Sequence, residues 1–133
     1  MSAKAKRAAA IRNRELDFEY RGQTLKTRHI TVSCLELTES GAKSVAQRIG
    51  KLLKKIEIPV LISIRKWSRP PEGDSCYWSN FYMNLRLVMP QGRYFALVAA
   101  DWGAERMRIS FGAKNVFTST DEAKSNYHEW RTV

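Results

Sequence analysis

Ala42, Val45, Ile49, Leu52, Leu53 and Ile56 recur every three or four residues, and no other feature restricts the fold of this chain so strongly. A single apolar stripe of that period predicts an amphipathic helix lying on a core. Thr38 or Ser40 can cap it, and Glu39 stands where the positive end of the helix dipole favours a carboxylate. Pro59 marks the exit, and Val60-Leu61-Ile62-Ser63-Ile64 predicts a buried strand. A helix feeding a strand of this kind places the chain in the α+β class.

Around that unit the sequence predicts mixed or antiparallel strands, two principal helices and a flexible basic N-terminal arm. The arm is residues 1–14, where Lys4, Lys6, Arg7, Arg12 and Arg14 precede the first acid, Glu15. Such an arm orders on an anionic surface. Residues 15–133 form one α+β domain, a size that buries roughly two-thirds of its unfolded surface. Leu16 to Leu37 reads as extended chain with a turn at Arg21-Gly22. Gly22 and Gly103 are echoed at the same offset by Ala42-Lys43-Ser44 and Ala123-Lys124-Ser125. That suggests two hairpin–helix halves, 15–66 and 67–133.

In the second half, Ser68 to Ser79 reads as a loop rich in turn formers. Alternation predicts three strands, at about 81–89, 93–101 and 105–111, then a helix capped by Ser119 or Thr120. One face of that sheet would carry Tyr82, Arg86, Arg106 and Arg108. Guanidinium groups and a ring in that arrangement suit phosphates, guanine edges and stacked bases. Three strands and a helix, with Phe117-Thr118-Ser119-Thr120-Asp121-Glu122-Ala123 leading into the helix, resemble the integrase-arm DNA-binding domains over about residues 80–131. The glycine and tryptophan pattern of that family is not clearly matched. The resemblance implies a short sheet in the major groove with a helix packed behind it, and it tilts the expectation from single strands towards duplex DNA; between the two nucleic acids, DNA is expected ahead of RNA.

Charge points the same way. Across 133 residues, 23 Lys and Arg face 13 Asp and Glu, a net +10. Residues 1–66 hold fifteen of those cations against six acids, and residues 67–133 hold eight against seven. A basic field draws polyanions. Lys43, Lys51, Lys54 and Lys55 fall largely off the apolar stripe of the first helix and are expected, with the arm, to grip the phosphate backbone. A membrane partner is not expected: the stripe lacks the Trp or Phe of interfacial helices. The longest apolar run, Phe95 to Ala100, is far short of the roughly 20 residues that span a bilayer. A basic start with no apolar middle predicts a cytoplasmic protein.

Enzymatic signatures are weak. The seven glycines stand singly, so neither a Walker loop nor a dinucleotide fingerprint occurs. Cys34, Cys76, His29 and His128 lack zinc-ligand spacing, and no metal or other cofactor is expected. Two alternatives stand beside non-catalytic nucleic-acid binding. One is a small regulatory or inhibitory protein, of mobile-element type, docking on a protein or nucleoprotein complex through exposed Trp67, Tyr77 and Trp78. The other is a metal-dependent nuclease using Glu57, Glu72, Asp74 and Asp101 near Lys66.

Overall fold

The computed structural model describes residues 9–33, 35–36, 38–68, 77–99 and 102–133. Two long strands open the fold, β1 (Ala10–Tyr20) and β2 (Gln23–Ser33), paired antiparallel from Ala10↔Ser33 to Tyr20↔Gln23. Their two-residue loop has Arg21 at φ 50° and Gly22 at φ 79°. Positive φ at both positions gives the turn whose twist matches that of the flanking strands. Next come β3 (Leu35–Glu36), α1 (Glu39–Leu53), β4 (Val60–Ile64), β5 (Trp67–Ser68) and α2 (Tyr77–Val88). The chain finishes with β6 (Phe95–Ala99), α3 (Trp102–Phe111), β7 (Val116–Phe117), α4 (Thr120–Ser125) and a 3₁₀ turn at Tyr127–Glu129.

The result is the expected α+β class: a five-stranded mixed sheet in the order β1-β2-β4-β6-β7, plus a small parallel pair, β3 and β5. β2, β4, β6 and β7 are mutually parallel, and β1 alone runs against its neighbour. The three crossovers advance in one direction, and a constant hand of crossover then stacks α1, α2 and α3 on one face. Their side chains Val45, Ile49, Trp78, Phe81, Leu85 and Met107 meet Ile30, Val32, Ile62, Phe95 and Leu97 of the sheet in the main core. We call this the helical face.

The opposite face is covered by less. Leu61, Ala96, Val98 and Phe117 pack there against Phe18, Ala123 and Trp130. Among the described residues, α4 and the C-terminal segment lie over it, pinned by Trp130 Nε1 donating to the Ala123 carbonyl at 2.9 Å. Arg131 adds a short antiparallel bridge to Phe95. Toward the start of β1 and the end of β4, the described residues leave this second face partly open, with Arg12, Arg14 and Arg65 exposed.

Two expected strands are helices. Residues 81–89 fall in α2, and residues 105–111 in α3. Alternate residues Phe81, Met83, Leu85 and Leu87 suggest a strand, but Met83 and Leu87 are 52% and 79% exposed, while Trp78, Phe81, Tyr82 and Leu85 are buried. That spacing of three and four is helical. In α3, Met107 is buried and Ile109 is exposed for the same reason. Only the middle expectation survives, as β6. The proposed echo pairs unlike positions, since Gly22 is in a hairpin turn and Gly103 in α3.

Candidate nucleic-acid interface

α1 forms where its stripe predicts. Thr38 Oγ1 caps it, accepting from Gly41 N at 3.0 Å, and Ala42, Val45, Ala46, Ile49, Gly50 and Leu53 are buried. Lys43, Arg48, Lys51, Lys54 and Lys55 all lie exposed on the outward side. Between Ser40 and Ile56 the sequence contains no acid. Cations in the last turn also complement the negative end of the dipole, a local reason for Lys51 and Lys54 to stand there. The carbonyl end is further met by Arg93, which donates to the Leu53 carbonyl at 3.4 Å.

Beside this face runs a groove of about 600 Å³, bounded by Arg48 and Lys51 of α1, by Lys54 just past its end, and by Leu87 and Val88 of α2. The helices approach closely enough there that a Cβ on Gly50 would lie 2.9 Å from Val88 Cβ. Arg48 also donates to the Ala9 carbonyl at 2.6 Å, which ties the outward face of α1 to the start of β1.

The remaining expected contact residues do not form a second sheet surface. Tyr82 is buried, its hydroxyl donating to Asn115 Oδ1 at 3.3 Å. Burial pushes its phenol above the ordinary range. Arg86 lies over the Tyr82 ring at 5.9 Å, and the two share a recess of about 300 Å³ with Lys114 and Arg131. Arg106 and Arg108 belong to a different helix, α3. Arg108 is held inside the protein's own bonding: Nε donates to the Val116 carbonyl at 2.7 Å, and a terminal nitrogen meets Glu122 at 3.2 Å. The sheet-in-groove reading therefore has no sheet to stand on.

Lys4, Lys6 and Arg7 lie outside the described residues. Arg12 and Arg14 belong to β1 rather than to an arm. Trp78 is fully buried, and Trp67 packs edge-on against it at 5.3 Å, so this pair is not the exposed anchor expected. The side chain of Tyr77 lies outside the described residues, as do Cys34, Glu72, Asp74, Cys76 and Asp101. Glu57 is exposed beyond the end of α1. Among the described residues, no group of three His, Cys, Asp or Glu stands close enough to share a metal ion. Among them, too, no helix is long and apolar enough to cross a membrane.

Sequence reasoning missed how the hairpin sorts its charges. On the helical face, Glu15 meets Arg28 at 3.7 Å, Asp17 stands opposite Lys26, and Glu19 accepts from Thr24 at 2.8 Å. Arg12 and Arg14 point to the other face, opposite Thr31 and His29, with no acid beside them among the described residues. There His29 Nε2 lies 2.7 Å from Ser63 Oγ on the neighbouring strand. The parity of residues 10–20 was the available signal, because every acid of that strand occupies an odd position and both arginines an even one. No protein-family profile matches this chain, and neither a curated protein nor a solved structure does.

Proposed function

We propose that this protein binds nucleic acid without catalysing a reaction on it, holding the phosphate backbone against the outward face of α1. The observation that carries the reading is the run of five exposed cations from Lys43 to Lys55 with no acid among them. At 1.5 Å per residue they extend over about 18 Å, roughly five base-pair steps of a duplex. Contacts of this kind position a backbone and carry no sequence information. The test is a set of binding isotherms on duplex DNA, duplex RNA and single strands across a range of salt, with and without magnesium. Binding that weakens steeply with salt and leaves the probe uncut supports the reading. Salt-independent binding, no binding, or magnesium-dependent cleavage overturns it.

A second reading, docking on a nucleoprotein complex, is favoured by Leu87. It is 79% exposed beside the same groove, one helical turn from exposed Met83. In that case α1 meets the nucleic acid while α2 meets a protein already bound to it.

A further inference from the structure

The open part of the second sheet face gathers positive charge around a histidine–serine pair. Alternation puts Arg12 and Arg14 of β1, His29 and Thr31 of β2, and Ser63 of β4 on this side, with Arg65 two residues beyond Ser63. Arg65 N still donates to the Val32 carbonyl at 2.8 Å, so the strand pairing continues to that residue. Lys124 approaches from α4, its charge partly offset by Asp121 at 3.5 Å. Arg12, Arg14 and Arg65 are exposed, His29 and Thr31 half-buried, and Ser63 buried. Burial, then the charges of Arg65, Arg14 and Lys124, hold the His29 imidazole below its ordinary range.

Nothing in the hairpin required this crowding. The acids that match Lys26 and Arg28 lie on the opposite side of the same strand, where they cannot reach Arg12 or Arg14. Like charges around a half-buried ring oppose folding unless something anionic joins them. Guanidinium forks bind phosphate oxygens bidentately, and hydroxyls supply neutral donors beside them. Among the described residues no carboxylate pairs with Arg12, Arg14 or Arg65, and three such guanidinium groups favour a doubly charged oxyanion over a singly charged one.

We infer that Arg12, Arg14 and Arg65, with His29 held in place by Ser63, form a binding site for a phosphomonoester group. This site does not depend on the α1 reading, because the sheet itself stands between the two surfaces. The group can belong to a free nucleotide or to the terminal phosphate of a strand, and the chemistry recognised is the same.

The chain has only two histidines, so the test has an internal control. His128 lies away from the cluster, hydrogen-bonded through Nδ1 to the Tyr20 hydroxyl. The imidazole proton resonances of the full-length protein are followed while inorganic phosphate, a nucleoside 5′-monophosphate, and a short oligonucleotide with either a 5′-phosphate or a 5′-hydroxyl are added. Phosphate and the monophosphate should move the His29 signal saturably and raise its titration midpoint while leaving His128 in place. An effect of the 5′-phosphate oligonucleotide alone among the two strands identifies a strand end as the source; no effect of either identifies the free nucleotide. Combined Arg14→Gln and Arg65→Gln substitution should weaken phosphate binding at least tenfold, with Lys26→Gln, at an exposed position on the opposite side of the sheet, leaving it unchanged. Arg12→Gln, at an exposed position of an edge strand, gives a second measurement should the double variant fail to fold, and should also weaken binding. Absence of saturable movement, equal movement of both histidines, or undiminished binding in the arginine variants overturns the site.

Discussion

Gly103 lies flat against the indole of Trp78: a Cβ placed on it would fall 2.6 Å from Cε2 and 2.9 Å from Cζ2. The second residue of α3 thereby sets how closely that helix meets α2. Trp78 is fully buried between Trp67 and Phe81 and has no free side to turn toward. Replacement of Gly103 by Ala should destabilise the protein by about 1–3 kcal/mol, the usual cost of overpacking a filled core, reduced by alanine's better helix propensity. Urea denaturation followed by tryptophan fluorescence measures it; a midpoint at or above that of the wild type would show that the indole yields.

Asn115 links three elements from one buried position. Its Nδ2 donates to the Phe95 carbonyl at 3.0 Å, its Oδ1 accepts from Tyr82 at 3.3 Å, and its own carbonyl accepts from Leu97 N at 2.9 Å. Asn115→Ala removes the two side-chain bonds and leaves the Tyr82 hydroxyl without its acceptor in a buried site. The expected loss is about 2–3 kcal/mol in denaturant unfolding. Asn115→Ala combined with Tyr82→Phe should cost less than the sum of the separate losses, because the stranded hydroxyl is gone. Strict additivity would deny the coupling.

Why α1 was legible and α2 was not comes down to competing periods. Ala42 to Ile56 fit one template only. Residues 77–88 fit two, since Phe81, Met83, Leu85 and Leu87 alternate while Trp78, Phe81, Tyr82 and Leu85 step by three and four. The choice turns on Met83 and Leu87 remaining in water, which only the packed structure decides. Arg12 and Arg14 read as an arm because no acid precedes Glu15, although their pairing with Thr31 and His29 places them in a sheet. His29 and Ser63 are 34 residues apart and meet through the register of two parallel strands, a relationship with no local trace in the chain.

Acid should weaken the fold through His29. Its folded-state pKa is lowered by burial and by Arg65, Arg14 and Lys124, so the folded protein holds the ring neutral at a pH where the unfolded chain protonates it. The corresponding stability is intact above the unfolded value, near 6.5, and is lost as pH falls from there toward the depressed folded value. Denaturation midpoints compared at pH 7.5 and 5.5 should drop for the wild type. His29→Gln, which cannot titrate, should drop less, and Arg14→Gln should fall between them. Equal drops in all three would remove His29 from the acid response.

Replacing Lys51, Lys54 and Lys55 together by alanine should leave the fold intact, because all three are exposed and alanine suits the end of a helix at least as well as lysine. Binding should weaken on every probe by a similar factor, since phosphate contacts do not read bases. The slope of log affinity against log salt should flatten by roughly 3, about one for each lysine that contacts a phosphate. A fall confined to one probe sequence would mean that these side chains reach base edges. An unchanged slope would take α1 out of the interface, whatever the affinity did. The slope is the sharper measure, because it counts displaced counterions directly and is indifferent to small changes in the stability of the variant.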